Sequence, residues 1–355
     1  MSGGRPLLSY ISGQECLQTR ELWEEVFCED TEQFTDYYFG VKAPENEGFV
    51  LKGEEGLRAM LFLTPEKMQV FEEKVSSAYI VGVATRKEWR HRGYMAQLLQ
   101  QSFHLMYERE VPFVFLMPAS PAIYEPFAFR YIYDRPIWEA ESLQMEKMEV
   151  LGPAYVGKIA AFSEKVLQKT APVHICRDAA YDRVLFKEIE AQNGQVLGYL
   201  ENGGLEGICL YTCEEGEADI QEVLAMPHSE EKFVTRGKEK KPCIMARIVH
   251  LPAFLGLLRT KNAEEGFSFV LQVEDDRIEK NCGSFLCCVS DRGCAVSDFD
   301  GQNDDVSYFW KGTVAELTER VFGYERADAD GEHWQKEALW ERLRLLNPVW
   351  INEIV

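Results

Sequence analysis

The stretch Ser76–Gln100, "SSAYIVGVATRKEWRHRGYMAQLLQ", decides how this chain is read. Its first ten residues are apolar enough to predict a central strand of a sheet. From Gly93 onward Met95, Leu98, Leu99, Phe103 and Met106 recur at helical spacing and predict a helix. Arg86, Arg90 and Arg92 gather between the two. The first N–H groups of a helix lack internal partners and carry partial positive charge, so this strand–loop–helix start can hold an anion. Gly93 lets a ligand approach the backbone with no Cβ in the way, and Arg90 and Arg92 can add charge-assisted hydrogen bonds. A pyrophosphate suits such a site. Arg86 reads instead as a surface residue paired with nearby glutamates.

The rest of the chain is acidic: 59 acidic against 38 basic residues, a net charge of −21. That balance excludes a general nucleic-acid surface, which needs lysine and arginine in excess to neutralise phosphates. It favours solubility and draws cationic ligands such as amines. A length of 355 residues predicts two or three domains, and 46% hydrophobic residues allow each a core. No apolar run approaches a membrane span, and the start "MSGGRPLLSYISGQE" lacks the pattern of a signal peptide. Ten cysteines without a CxxC pair predict free thiols in a reducing cytoplasm. Cys282, Cys287, Cys288 and Cys294 are close in sequence, but adjacent Cys287 and Cys288 face opposite sides of a strand. Core packing, with no metal, is the reading.

Outward from the decisive stretch, residues 14–40 are helical by spacing, and two apolar runs flank a hairpin turn at Gly53–Gly56. "VPFVFLMP" and "FRYIYDRPIWEA" are further strands. A similar opening recurs later: "KIAAFSEKVL" and "AAYDRVLFKEI" as helices, a hairpin around Glu201–Gly204, and the strand "EADIQEVLA". Residues 141–240 therefore read as a degenerate second copy without the arginine–glycine helix start. The lysine-rich "EEKFVTRGKEKKPCIM" reads as a solvated connection to a third unit. There "GFSFVLQVEDD", "GSFLCCVSD" and "GCAVSDFD" are strands. Thr313 and Glu316 form a capping box closed by Gly323. A helix through "HWQKEALWERLRLL" leads to the apolar tail "VWINEIV", whose composition predicts burial.

"VGVATRKEWRHRGYMAQLL" resembles the acetyl-CoA signature of the GNAT superfamily of N-acetyltransferases, with Arg90, Gly93 and Met95 at the Q/R-x-x-G-x-G/A positions. Met95 departs from the small residue usual there. The resemblance implies an α+β fold in which Val81, Gly82 and Val83 pair with pantetheine. Arg90, His91, Arg92, Gly93, Tyr94, Met95 and Ala96 would surround the pyrophosphate, with Ala119 and Ser120 near the pantetheine end. Over the whole chain the sequence is similar to the enhanced intracellular survival (Eis) family. That implies two tandem GNAT-like domains, 1–140 and a degenerate 141–240, then a sterol-carrier-protein-like α/β domain, 241–355. "SPAIYEPFAFRY" matches the family segment S-x-x-I-Y-x-x-F-G-Y, with Ala128 in place of the glycine.

Acetyl transfer needs a neutral amine, a stabilised oxyanion and a proton for the departing thiolate. By resemblance Tyr124 is the general acid, and the C-terminal carboxylate of Val355, threaded into the active site, is the general base. Glu353 is an alternative base or a wall for a cationic substrate. The implied co-substrate is acetyl-CoA, and the implied acceptor is a small cationic amine of the aminoglycoside kind. The resemblance also implies a homo-oligomer, often a hexamer, and no nucleic-acid or membrane partner. Two rival readings are a lipid or sterol carrier with an inactive acetyltransferase domain, and a protein lysine acetyltransferase.

Overall fold

The computed structural model describes residues 5–214, 217–227, 229–301, 306, 308–324 and 338–353. Strand β1 (Leu7–Ser12) is followed by the short helices α1 (Arg20–Val26) and α2 (Glu32–Tyr37). Then come β2 (Glu47–Gly53), β3 (Gly56–Val70) and β4 (Glu73–Thr85), antiparallel neighbours in the order β1-β2-β3-β4. Helix α3 (Tyr94–Glu108) crosses over to β5 (Phe113–Leu116), which lies parallel to β4. The short helix α4 (Pro121–Tyr124) and strand β6 (Arg130–Glu139) complete this segment.

Alternation along β4 sends Ile80 to one face and Tyr79 and Val81 to the other, as a pleated strand requires. On the first face Leu98, Leu99, Phe103 and Met106 of α3 pack on Leu61, Leu63, Val114 and Leu116. Each such side chain, fully buried, contributes roughly 1.5–3 kcal/mol. On the second face Trp23, Tyr38 and Phe39 cover Met60, Phe62 and Val81.

A second unit follows. It runs β7 (Met148–Val150), α5 (Val156–Thr170), β8 (Val173–Ile175), α6 (Ala179–Ala191), β9 (Gln195–Glu201), β10 (Gly204–Glu214) and β11 (Glu217–Ala225). Its sheet order β11-β10-β9-β7 repeats the order β4-β3-β2-β1, with antiparallel neighbours throughout. β8 leaves this sheet and pairs with β3, Met68 opposite Ile175.

The lysine-rich segment is no solvated connection. Residues Thr235–Ile248 form β12, which returns to the first sheet and inserts antiparallel between β5 and β6. The boundary expected at residue 240 falls inside this strand. Its first half is exposed, so the lysines project into water, while Cys243–Ile248 are buried. One strand thus carries a linker-like composition and a core-like composition in succession.

Helix α7 (Leu251–Gly256) and strand β13 (Arg259–Thr260) lead into a third sheet. Its strands are β14 (Phe267–Glu274), β15 (Gly283–Val289), β16 (Cys294–Asp298) and β17 (Tyr308–Thr313), ordered β16-β15-β14-β17. Helix α8 (Val314–Phe322) starts on the Thr313–Glu316 capping box and stops at left-handed Gly323. It packs Val314, Leu317, Val321 and Phe322 into a core shared by β6 and β12 of the first sheet and β17 of this one. Cys287 is buried and Cys288 exposed, as alternation demands. The last helix is described only as α9 (Ala338–Arg342), after which Leu343–Arg344 form strand β18 against β13.

The tail docks. β19 (Val349–Trp350) runs parallel to β8, Val349 opposite Val173. The Trp350 indole N–H donates to Glu222 at 2.6 Å, and Glu222 forms a buried bidentate pair with Arg177. Ile351 and Glu353 are buried, and Ile354 and Val355 lie outside the described residues.

Candidate active site

β4 and β5 share one register pair, Tyr79 opposite Phe115, their rings stacked at 5.4 Å. Past that point a bulge redirects β4: Phe62 faces Val81 but Met60 faces Ala84, so Gly82 and Val83 together oppose Leu61. Gly82 adopts φ +60°, and a Cβ there would meet the Trp23 ring at 2.8 Å. Both the turn and the close approach of Trp23 therefore require glycine. Val81–Val83 span this bulge, and Ala119–Ser120 lie between β5 and α4.

The loop after β4 holds a single turn at Lys87–Trp89, then His91 at φ +60° and Gly93 at φ +76°. A Cβ on Gly93 would meet no protein atom within 4 Å, so conformation rather than packing requires glycine there. Gly93 caps α3 without a side-chain hydrogen bond, and the first helical bond runs from Gln97 N–H to its carbonyl. The amides of Tyr94, Met95 and Ala96 are thus uncapped donors at a helix N-terminus. Arg90, His91 and Arg92 are exposed around them. Arg92 and Arg58 lie on the Trp89 ring at 4.5 and 3.7 Å, a stack worth about 0.5–2 kcal/mol per contact. Arg86 binds Glu21 and Glu25 and takes no part, as its sequence context predicts. Met95, in the first turn of α3, is partly buried against the core.

Tyr124 ends α4, buried against Phe129 at 5.9 Å. Burial pushes its hydroxyl up to about 12, so it remains a proton donor at neutral pH. That hydroxyl makes no hydrogen bond among the described residues. Ala128, where the resembling family has glycine, stands in the left-handed region at φ +64° and turns the chain back towards β6.

Alongside the outer half of β3 lies a cavity of about 560 Å³. Its wall includes Thr64, Pro65 and Glu66 of β3, whose register partners are Tyr79, Ala78 and Ser77 of β4. Lys42 enters it from a single π-helical turn, Tyr38–Lys42. Its ammonium lies 3.0 Å from Glu188 of α6 and 3.3 Å from Glu353 of the tail. Tyr37 donates to Glu188 at 2.9 Å, and Tyr181 donates to Glu353 at 2.7 Å. Burial alone would lower the Lys42 ammonium, but Glu188 and Glu353 outweigh it and hold it well above its ordinary value. Lys42, Glu66, Tyr181 and Glu188 escape sequence reasoning, because no local pattern joins them. Glu353 is the one member that sequence singled out, and its burial places it in this cavity wall. Among the described residues no group of three or more His, Cys, Asp or Glu side chains is arranged to hold a metal ion.

Residues 9–132, which carry the β4 bulge, the uncapped helix start behind a left-handed glycine and the buried Tyr124, match the family described as Acetyltransferase (GNAT) domain. With that domain the protein is an N-acetyltransferase. A probable N-acyltransferase from Enterococcus faecalis has a similar fold, at 16% identity and TM-score 0.73, over 96% of this chain and 93% of that one. A GCN5-related N-acetyltransferase from Anabaena variabilis is similar at 15% identity and TM-score 0.70, over 96% and 94%. Eis1 from Mycobacterium abscessus is similar at 12% identity and TM-score 0.64, over 90% of each chain. No curated protein matches the sequence. No described helix is long and apolar enough to cross a membrane.

Proposed function

We propose that the protein transfers the acetyl group of acetyl-CoA to an amine of a small cationic acceptor, of the aminoglycoside kind. The observation that carries this is a cavity whose inner charges are three carboxylates and one ammonium, its β3 wall paired with Ser77–Tyr79 of β4. The uncapped amides of Tyr94–Ala96, with Arg90 and Arg92, suit the diphosphate. Val81–Val83 offer backbone partners to the pantetheine amides, with Ala119 and Ser120 on the opposite flank.

In the reaction the neutral amine attacks the thioester carbon, forming the C–N bond as the carbonyl electrons move to oxygen. Collapse breaks the C–S bond, and Tyr124 gives its proton to the departing thiolate. The amine's proton passes to a carboxylate. We assign that role to the C-terminal carboxylate of Val355, outside the described residues, with Glu353 as the alternative. The docking of Val349–Glu353 supports the assignment by carrying the tail to the cavity wall. The division into two GNAT-like domains and a sterol-carrier-like one belongs to the same reading, as does a symmetric oligomer. A species of 40.8 kDa by light scattering would exclude the oligomer.

The test is a screen of amines for acetyl-CoA-dependent thiol release, run beside a variant extended by a few residues after Val355. Turnover with cationic amines that the extension abolishes is expected. Full activity in a folded, extended variant would remove the Val355 carboxylate and leave Glu353 as base. No turnover with any amine would contradict the acceptor class.

A further inference from the structure

The cavity along β3 already shows what its carboxylates bind. The ammonium of Lys42 sits between Glu188 and Glu353, and each of those carboxylates also accepts a tyrosine hydroxyl. Both are therefore committed to partners inside the protein. Glu66 lines the same cavity, half-buried, and its carboxylate makes no hydrogen bond or ion pair among the described residues. Desolvating a carboxylate without a partner is costly, and an entering ammonium group would supply one.

We propose that Glu66 is the residue that receives the acceptor's ammonium group, Lys42 having already claimed Glu188 and Glu353. This rests on the acetyl-transfer reading for its purpose, but not for its test. The charges facing Glu66 come from every element around it. Lys42 and Glu45 belong to the segment after α2, Glu188 and the exposed Arg183 and Lys187 to α6, and Glu353 to the tail. Burial holds the Glu66 carboxyl well above the ordinary carboxylate range; the negative charges of Glu353 and Glu188 add to this, and Lys42 opposes it. An arriving cation reverses that balance. Glu66 ionises, its proton leaves for solvent, and the ammonium takes the proton's place. Lys42 has a second role here: by neutralising two carboxylates in advance, it limits the inner cavity to one further cation.

The experiment is calorimetric titration of spermidine into the full-length protein without acetyl-CoA, near neutral pH. Two buffers of different ionisation enthalpy report the protons exchanged. Wild type is expected to release up to roughly one proton per amine bound. Glu66→Gln should bind on the order of tenfold more weakly and release none. Glu66→Asp should recover part of both. The melting temperature of Glu66→Gln should equal or exceed that of wild type, since an amide costs less to bury than a carboxylate, so weakened binding would not come from unfolding. Equal affinity and equal proton release in wild type and Glu66→Gln would overturn the proposal, as would no spermidine binding by wild type. The two readings fail separately. Acetyl transfer without any effect of Glu66→Gln on amine affinity sinks this one, while Glu66-dependent binding without acetyl transfer sinks the other.

Discussion

The ammonium of Lys42 lies 3.3 Å from the carboxylate of Glu353, 311 residues later in the chain. This contact, with the Lys42–Glu188 pair, joins the first sheet's helical segment, the second unit and the tail at one point. All three side chains are largely buried, so removal of the cation leaves two carboxylates without their countercharge.

Lys42→Met should therefore cost about 3–5 kcal/mol of stability, the range for breaking a buried pair from one side. Chemical denaturation measures it. The same variant should loosen the tail, read as faster amide exchange at Trp350 and Ile351. A loss below about 1 kcal/mol would make the contact no stronger than a surface pair.

Gly93→Asp should weaken acetyl-CoA binding by on the order of tenfold or more, because it sets a carboxylate beside the uncapped amides proposed to hold the diphosphate. Gly93→Asn is the control. Asparagine tolerates the left-handed conformation without adding charge, so it should retain most of the affinity. Equal losses in both variants would point to backbone strain instead.

Ala128→Gly should stabilise the protein by roughly 0.5–1 kcal/mol, since alanine pays for a left-handed conformation that glycine adopts freely. Thermal melting of the single variant decides it. No change would mean that the turn is held by its neighbours irrespective of residue type.

Asp182 is fully buried, and neither of its carboxylate oxygens has a hydrogen-bond partner among the described residues. Burial pushes it up from 3.8 to about 7; Arg177 opposes the shift, and Glu222 and Asp178 reinforce it. The folded state then holds a proton that the unfolded state loses near pH 4. This group's contribution to stability is thus full in acid and declines as pH rises from about 4 to about 7. Asp182→Asn should flatten that decline. At pH 8 it should exceed wild type by at least about 1.4 kcal/mol, the worth of one pKa unit. Parallel stability curves for the two proteins would contradict this.

The strand–loop–helix start is legible in the sequence because its pattern is local and unbroken. Strand, arginine loop, Gly93 and helix follow one another without interruption, and the Thr313–Glu316–Gly323 caps are equally local. Arg86 is legible too, because its glutamate partners are the ordinary fate of a surface arginine. β12 is misread because its lysines ride on an exposed ribbon and look like linker composition; only its pairing with β5 and β6 tells otherwise. The outer half of β3 is missed for a related reason. "TPEKMQV" alternates between half-buried and exposed before it turns inward, and that mixture does not stand out as a strand. Lys42, Glu66 and Glu188 come from three separate elements, and no short pattern could unite them.

The proposed reaction turns on Tyr124 protonating the thiolate that leaves acetyl-CoA. The most direct measurement compares kcat and acetyl-CoA affinity of Tyr124→Phe with those of wild type, on whichever amine the screen finds. A fall in kcat on the order of 10²-fold or more is expected, with acetyl-CoA affinity unchanged, because one hydroxyl is lost and little packing. A kcat within about twofold of wild type would contradict it and return Tyr124 to the aromatic core around Phe129.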